Sequence, residues 1–333
     1  MLVAYDESLT RHLATLAHVE QPERVRAVAA ELDRRGLFEE RIDTRAATEA
    51  DLERVHAAAY VEAVKRECER LDGGAGALST GDTDIDAASY EGALHAAGGA
   101  LAALDRVVAE RRAAFALVRP PGHHAEPARG MGFCLFNNAA IAARAFAAQT
   151  GRGVLVADFD YHHGNGTQAL VGGGLSYLST HAVPAYPGTG RVRDNHAGHD
   201  GMLVNLPIAA SGIATEAFVA LWIAALRGVA RATRPGLLVL SAGYDFVAGD
   251  PVGDLGVAPG AARQLGRLAR EIADAYCNGR ALFVLEGGYD PAVLADCVAE
   301  TIEGYDESVA VDAADAAAVP AAQRAVLAEL VHR

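Results

Sequence analysis

Five short apolar runs in this chain are each followed at once by polar or ionisable residues, and helical stretches separate the runs. The runs are Ala114–Val118, Val154–Ala157, Leu175–Ser179, Leu237–Leu240 and Ala281–Leu285. Short apolar runs that alternate with helices predict a mostly parallel sheet with helices on both faces, an α/β fold. Ligands of such sheets bind beyond the carboxyl ends of the strands. The polar residues that follow the runs are therefore predicted to meet at one edge.

Helices are predicted from apolar spacing and from glycine and proline positions. They cover residues 20–36, 48–70, 88–112, 138–149, 215–233, 259–275 and about 320–332. A Gly-, Ser- and Asp-rich segment at residues 72–87 is predicted to be a loop. We see no internal repeat and no linker, so residues 1–333 are expected to form a single domain, with the core motifs at 115–290.

The second apolar run continues into VLVADFDYHHGNG, which ends in two aspartates and two histidines. Side chains of an extended strand alternate faces, so Asp158, Asp160 and His162 are predicted to point the same way. A solvated polar strand end is the alternative, but the preceding run is apolar on both faces, where unpaired charges are costly. Asp160 and His162, with Asp245 after the run LLVLSAGY, are the predicted metal ligands.

Two carboxylates and one imidazole leave coordination positions open for water and substrate, which is typical of a catalytic metal site. The oxygen-rich set suits zinc, and equally Fe(II), Co(II) or Mn(II). His123 and His124 follow Pro-Pro-Gly at another strand end, where a histidine could take a proton from water and pass it to a leaving amine. Asp158 and Asn165 are the candidates to orient them.

Tyr289 follows a Gly-Gly pair at a further strand end. A phenol there could donate a hydrogen bond to a developing oxyanion, or it could be a packed aromatic residue. The segments Gly130–Phe136 and Tyr186–Gly190 place aromatic residues beside glycines, as walls of a narrow slot or as loop packing.

The formal net charge of −14 makes a broad nucleic-acid surface unlikely, because phosphate binding requires clustered Lys and Arg. The four cysteines form no C-x-x-C pair and are expected to be reduced thiols. No uninterrupted apolar stretch reaches about 18 residues, so no membrane span is expected. The first residues show no secretion signal pattern, and the expected location is cytoplasmic.

These motifs resemble a known family. RPPGHHAEPARGMGFCLFNN, DFDYHHGNGTQ, YPGTG, SAGYDFVAGDP and LEGGYD, in this order, look like the zinc-dependent deacetylase superfamily. That superfamily includes histone deacetylases, bacterial histone-deacetylase-like amidohydrolases and acetylpolyamine amidohydrolases. The resemblance implies an arginase-like single α/β domain with a mostly parallel sheet of about eight strands. The chain also resembles the second branch of the family in two features, Asn165 and the EGGY motif.

The resemblance implies a role for each matching residue. Zinc would be held by Asp160, His162 and Asp245, and His124 would be the general base and acid. Asp158 would orient His123 and hold a structural potassium ion, with Ser179 and the carbonyl groups of Asp160, His162 and Thr180. Tyr289 would polarise the substrate carbonyl. The residues implied to line the acyl-lysine tunnel are Gly132, Phe133, Tyr186 and Val252.

The predicted function is removal of an acetyl or other acyl group from a primary amine, with an acetyl-lysine side chain of a peptide or protein as the expected substrate. An acetylpolyamine or other small N-acetyl amine is the alternative. Val252 stands where a polyamine-selective relative has glutamate, and Arg119 is also typical of the deacetylase branch; both favour lysine. A non-catalytic binder of acyl amines and an arginase-type ureohydrolase are remoter alternatives. The oligomeric state is left open, with a dimer or a tetramer compatible.

Overall fold

A central sheet organises the molecule. The computed structural model describes residues 1–38, 40–307, 309, 311 and 317–331. The strands are β1 (Leu2–Ala4), β2 (Arg41–Ile42), β3 (Ala75–Ala77), β4 (Asp84–Asp86), β5 (Ala114–Ala116), β6 (Val154–Asp158), β7 (Leu175–Val183), β8 (His196–Gly198), β9 (Gly201–Ala209), β10 (Leu237–Ala242) and β11 (Ala281–Leu285). Within the described residues, nine of them form one sheet in the order β2-β1-β5-β11-β10-β6-β7-β9-β8.

Every neighbouring pair in this sheet is parallel except β8 and β9. The mostly parallel α/β fold is therefore confirmed. The predicted count of eight strands matches the parallel ones, and β8 adds an exposed antiparallel strand at one edge. The register places Asp158 of β6 opposite Ser179 of β7 and Ser241 of β10. The carboxyl ends of the central strands therefore finish level with one another.

Helices cover both faces of the sheet. They are α1 (Glu23–Arg34), α2 (Glu49–Leu52), α3 (Ala58–Glu69), α4 (Ser89–Glu110), α5 (Asn138–Thr150), α6 (Asn165–Gln168), α7 (Thr215–Thr233), α8 (Ala261–Tyr276), α9 (Pro291–Asp306) and α10 (Ala321–Val331). Alternate strand residues face opposite cores: Leu155 and Ala157 pack with α1, α7, α8 and α9, while Val154 and Val156 pack with α3, α4 and α5. Two apolar cores, one on each face, explain why the strand sequences are apolar throughout.

Two local predictions differ from the structure. The segment predicted as one helix at 48–70 is two helices, α2 and α3, because Thr48 caps a short first helix that ends before residue 53. The predicted loop at 72–87 contains an antiparallel hairpin of β3 and β4. The C-terminal helix is α10, and residue 332 of its predicted range lies outside the described residues.

The two ends of the strands differ in charge; we call the side where the strands begin the amino edge and the side where they end the carboxyl edge. At the amino edge, where the strands begin, an arginine precedes each of four adjacent strands: Arg111 before β5, Arg280 before β11, Arg234 before β10 and Arg152 before β6. The helices α4, α8, α7 and α5 end there, and Arg280 donates to the carbonyl of Cys277 just past α8 (3.2 Å). Cations beside helix C-termini are stabilised by the helix dipole. These arginines therefore have a structural explanation.

The four cysteines are buried and unpaired, as expected. None of the helices in the described part of the chain is both long enough and apolar enough to span a bilayer.

Candidate active site

The loops at the carboxyl edge bring the predicted site residues together. β5 leads to His123 and His124, β6 to Asp160 and His162, β10 to Asp245, and β11 to Tyr289. Because these strands are parallel and end level, site residues up to 166 positions apart in sequence, His123 and Tyr289, converge on one place.

Asp160, His162 and Asp245 form a buried group, here called the candidate metal group, whose ligand atoms all lie within 4.8 Å of one another. His162 Nδ1 is 3.1 Å from Oδ1 of Asp160 and 2.9 Å from Oδ2 of Asp245. Asp245 Oδ2 is buried, and no group among the described residues, His162 Nδ1 included, is oriented to make a hydrogen bond to it. Burial and the neighbouring Asp160 raise the pKa of Asp245 to about 7. A divalent cation fits this group, because it would satisfy the orphaned oxygen and offset two facing carboxylates.

The remaining oxygens of the two carboxylates are fixed by backbone amides. Gly287 N–H donates to Asp160 Oδ2 (2.8 Å), His162 N–H to Asp160 Oδ1 (2.8 Å) and Tyr161 N–H to Asp245 Oδ1 (2.8 Å). Glycine is required where the backbone comes so near. A Cβ on Gly287 would lie 2.6 Å from Oδ2 of both aspartates, and one on Gly243 would lie 1.9 Å from Asp160 Oδ2.

Asp158 is fully buried and lies two residues before Asp160 of the candidate metal group. Strand β6 ends at Asp158, so the alternation argument does not extend to Asp160 and His162; a bend beyond the strand places them. Asp158 Oδ2 accepts from His123 Nδ1 (3.0 Å) and from the hydroxyl of Tyr177 (2.7 Å). This contact agrees with the expectation that Asp158 orients His123. Tyr177 is a partner that the sequence reasoning did not identify.

The two histidines lie side by side, with ring centroids 4.1 Å apart, but their surroundings differ. Burial disfavours charge on both. Asp160 and Asp158 nevertheless raise the pKa of His123 well above its ordinary value. Burial and two neighbouring histidines lower the pKa of His124 well below it. Environments that push two neighbouring pKa values apart separate a charged group from a neutral base.

Asn165 fixes which nitrogen of His124 carries the proton. Its amide nitrogen donates to Glu126 Oε1 (2.8 Å) and to the His124 carbonyl (3.3 Å), so its oxygen faces His124 Nδ1 at 2.9 Å. Nδ1 must then donate, which leaves Nε2 of His124 as an acceptor.

Tyr289 is buried beside the candidate metal group, and its ring is held on two sides. The guanidinium carbon of Arg24 lies 4.8 Å from the ring centroid, and the ring of Phe133 meets it edge-on at 5.7 Å. Its backbone N–H donates to Asp250 Oδ2 (2.6 Å). Burial raises the pKa of Tyr289 well above its ordinary value, so the side chain remains a hydrogen-bond donor.

These side chains open into a pocket of about 290 Å³. The lining residues are Asp82, His124, Gly132, Phe133, His162, Tyr186, Val252 and Tyr289. All four residues predicted to line the tunnel are among them. Asp82 was missed; it accepts from Gly132 N–H (2.8 Å) and from the Tyr186 hydroxyl (2.9 Å). Asp82 lies between β3 and β4, and no apolar pattern around it indicates that it lines a pocket.

The residues predicted to hold potassium are Asp158, Ser179 and Thr180, and all three are buried. Asp158 and Ser179 face each other across β6 and β7. Ser179 Oγ lies 3.0 Å from His181 Nδ1. A potassium site at this position remains a prediction.

Comparison with known proteins finds similar chains. Residues 18–305 match the family described as "Histone deacetylase domain". The chain is 35% identical over 302 residues to histone deacetylase 15 of Arabidopsis thaliana, covering 86% of this chain and 53% of that protein. It is 36% identical over 301 residues to a histone deacetylase-like amidohydrolase of Pseudomonas aeruginosa (87% and 77%). It is 34% identical over 304 residues to human polyamine deacetylase HDAC10 (86% and 44%).

The crystal structure of the HDA15 HD domain superposes with a TM-score of 0.87 at 30% identity, covering 99% of this chain and 95% of that one. The chain therefore spans about half the length of two of these relatives, and nearly all of the solved domain.

Proposed function

The chain belongs to the histone deacetylase family, and on that basis we propose that it is a metal-dependent amidohydrolase that removes an acetyl group from a primary amine. The convergence of the candidate metal group, His124 and Tyr289 on one pocket carries this proposal. Hydrolysis of an amide requires activation of water, polarisation of the carbonyl group and a proton for the leaving amine. Separate residues of this site are suited to each task.

We propose zinc as the resident metal, held by Asp160, His162 and Asp245, with Fe(II) or Co(II) as alternatives for the same ligands. A bound divalent metal would polarise the amide carbonyl and lower the pKa of water. A structural potassium ion at Asp158, Ser179 and Thr180 is a further proposal, supported by the burial of these residues.

The protein groups then divide the proton transfers. Nε2 of His124 takes a proton as water attacks, because Asn165 keeps the proton of the neutral ring on Nδ1. The Tyr289 hydroxyl donates to the carbonyl oxygen as negative charge develops there. His124 then passes its proton to the departing amine. Asp158 holds the neighbouring His123 in place throughout.

An acetyl-lysine side chain is the substrate that we propose, because a narrow pocket lined by Phe133 and Tyr186 suits an extended aliphatic chain. Val252 supplies an apolar side chain at the same pocket, which favours an uncharged stretch of substrate there. An acetylated polyamine is the second candidate, supported by the 34% identity to a human polyamine deacetylase.

The test is a screen of the purified protein against acetyl-lysine peptides, N-acetylputrescine and longer acyl-lysines, with and without a chelator. We expect turnover of acetyl-lysine that is lost with the chelator and restored by zinc. Higher kcat/KM for N-acetylputrescine would establish the second candidate. Binding of acylated amines without turnover, in protein with a full metal content, would instead identify a non-catalytic binder.

A single-domain organisation across residues 1–333 is also proposed, since both apolar cores share one sheet. The cytoplasmic location, a dimeric or tetrameric state and the absence of nucleic-acid binding remain predictions.

A further inference from the structure

Two carboxylates beside the site, Glu20 and Glu286, are fully buried but do not belong to the candidate metal group. Buried carboxylates are costly unless their partners compensate. Burial raises the pKa of Glu286 to about 7, whereas two arginines, Arg119 and Arg24, outweigh burial and hold the pKa of Glu20 well below its ordinary value. Each of the two carboxylates contacts the segment that carries His123 and His124, and each is linked to the turn that carries Tyr289, Glu286 through the chain itself and Glu20 through Arg24 of α1.

Glu286 links the tyrosine turn to the histidine loop. It follows β11 and lies three residues before Tyr289. Its Oε2 accepts from the backbone N–H of Gly122 (2.7 Å) and of His123 (3.0 Å). Its Oε1 lies 3.2 Å from the hydroxyl of Ser241, at the end of β10. One side chain therefore fixes the backbone of the histidine loop to the turn that presents Tyr289.

Glu20 links the same two loops by a second route. Oε1 accepts from Arg24 Nη1 (2.9 Å) and Arg119 Nε (2.9 Å), and Oε2 accepts from Arg119 Nη2 (2.8 Å). Arg24 also donates to the carbonyls of Glu286 and Gly288. Arg119 begins the segment that continues through Pro120 and Pro121 to the histidine pair.

These contacts close a ring. It runs from Arg119 along the histidine loop to Glu286, along the turn to Tyr289, and back through Arg24 and Glu20. We propose that Glu20 and Glu286 are positioning residues that fix the distance between His124 and Tyr289. The proposal rests on the proposed amidohydrolase function, in which His124 and Tyr289 act on the same substrate amide, His124 through proton transfer and Tyr289 at the carbonyl oxygen. A misplacement of about 1 Å in such a pair can cost about 100-fold in rate.

The ring predicts opposite outcomes when glutamine replaces glutamate at position 286 and at position 20. In Glu286→Gln, the amide oxygen can still accept from Gly122 and His123, and the new NH₂ can donate to the Ser241 hydroxyl, which also accepts. In Glu20→Gln, the charge between the two arginines is lost, and an NH₂ at either oxygen position faces a guanidinium group, which only donates; His12 Nε2, 3.5 Å from Oε2, offers an acceptor at one of these positions without restoring the charge. Glutamine should therefore be tolerated at position 286 and disruptive at position 20.

The experiment compares Glu286→Met, Glu286→Gln and Glu20→Gln with wild-type protein loaded with zinc. We expect Glu286→Met to lower kcat by about 10- to 100-fold with KM within about twofold. Glu286→Gln should stay within about threefold of wild type, and Glu20→Gln should lose about tenfold or more. Glu271→Gln, which makes the same change in the Arg227–Glu271 pair between α7 and α8, is the matched control and should keep wild-type kcat.

Amide hydrogen exchange of the zinc-free proteins supplies a readout independent of activity. In Glu286→Met, the amides of Gly122 and His123 lose their acceptor and should exchange at least about tenfold faster; in Glu286→Gln they should stay protected. The proposal would be overturned if Glu286→Met kept the kcat of wild type. It would also be overturned if Glu286→Met and Glu286→Gln lowered kcat equally. Unchanged amide exchange in Glu286→Met would overturn it as well.

If Glu286→Met or Glu20→Gln does not fold, Arg24→Lys takes its place, because lysine keeps the charge beside Glu20 but cannot reach both turn carbonyls. Its kcat should fall with KM unchanged, and normal kcat would contradict the ring. If wild-type protein turns over no acylated amine, the proposed function fails, and the exchange measurement alone decides the positioning proposal.

Discussion

The amino edge and the carboxyl edge of the sheet both carry ionisable side chains, but the surroundings of these side chains differ. At the amino edge, Arg111 and Arg152 are exposed and lie beside helix C-termini, where positive charge is favourable. At the carboxyl edge, Asp160 and Asp245 are buried and face each other. Charges at the first edge lie at favourable helix ends, although burial together with Arg111 and Arg152 lowers the pKa of Arg280. The two carboxylates at the second edge, by contrast, are costly unless a cation compensates them, as the proposed function requires. The direction of the parallel strands therefore separates the arginines beside helix ends from the carboxylates of the candidate site.

Replacing a metal-facing carboxylate tests this comparison most strongly. In Asp245→Asn the remaining oxygen can still accept from Tyr161 N–H, but a proposed metal ligand is lost. We expect turnover to fall by about 1,000-fold or more, with loss of bound metal. Because burial raises the pKa of Asp245 to about 7, the metal-free variant should be at least as stable as metal-free wild type. Metal analysis and thermal unfolding in chelator measure both effects, and a variant with full metal content would refute the ligand assignment.

Tyr289→Phe should lower turnover by about 100-fold while the metal remains bound, because one donor to the developing oxyanion is removed. Within the described part of the chain this hydroxyl makes no hydrogen bond that would stabilise the fold, so the melting temperature should change little. Kinetics and metal content on the same preparation provide the check. Near-normal turnover would remove Tyr289 from the mechanism.

Acid should destabilise the fold through buried histidines in the loops of the carboxyl edge. Burial lowers the pKa of His12 and of His56 to about 4, from an ordinary value of 6.5. As the pH falls from 6.5 through 4, the unfolded chain takes up protons that the folded chain excludes, so the free energy of unfolding decreases. Each histidine contributes at most about 1.4 kcal/mol per pH unit in this window.

Urea unfolding at pH values between about 7 and 4 measures this slope. His56 lies 3.0 Å from the Glu126 carbonyl and accepts from Asn137 N–H (2.9 Å), and glutamine can make both hydrogen bonds. His56→Gln should therefore reduce the slope without abolishing folding. An unchanged slope would mean that His56 is not one of the acid-sensitive groups.

The smallest effect is expected at the amino edge. Arg152→Ala should cost about 0.5 kcal/mol of stability at low salt, and less at high salt, because an exposed helix-dipole interaction is screened. Turnover should stay within twofold of wild type, by the same enzyme assay. A large loss of activity would show that the two edges are coupled and would break the separation of roles.

The apolar runs were enough to predict the fold class, because β6, β10 and β11 are buried on both faces and read as continuous apolar segments. β9 was missed because Asn205 and Pro207 interrupt its pattern. β1 was missed because three residues at the start of the chain carry no periodicity. Helix α9 was missed as well, although Pro291 marks its first position.

The candidate metal group could be predicted because its members end two recognisable runs. The ring of Glu20, Arg24, Arg119 and Glu286 could not. Arg119 and Glu286 directly follow two of the apolar runs, but Glu20 and Arg24 follow none. Glu20 and Arg119 are also 99 residues apart. Their pairing depends on how α1 packs beside the loop after β5, which only tertiary structure reveals.

At two positions beside the candidate metal group the backbone lies too close to the aspartates for any residue other than glycine. At Gly243 and Gly287 a single methyl group would collide with the aspartates that are proposed to bind metal, whereas a Cβ on Gly260 meets nothing within 4 Å. In a library of random variants selected for activity, alanine should therefore accumulate freely at position 260 and be absent at 243 and 287. At positions 243 and 287 the absence of a side chain is itself the selected feature, because the aspartate oxygens occupy the place where a Cβ would lie.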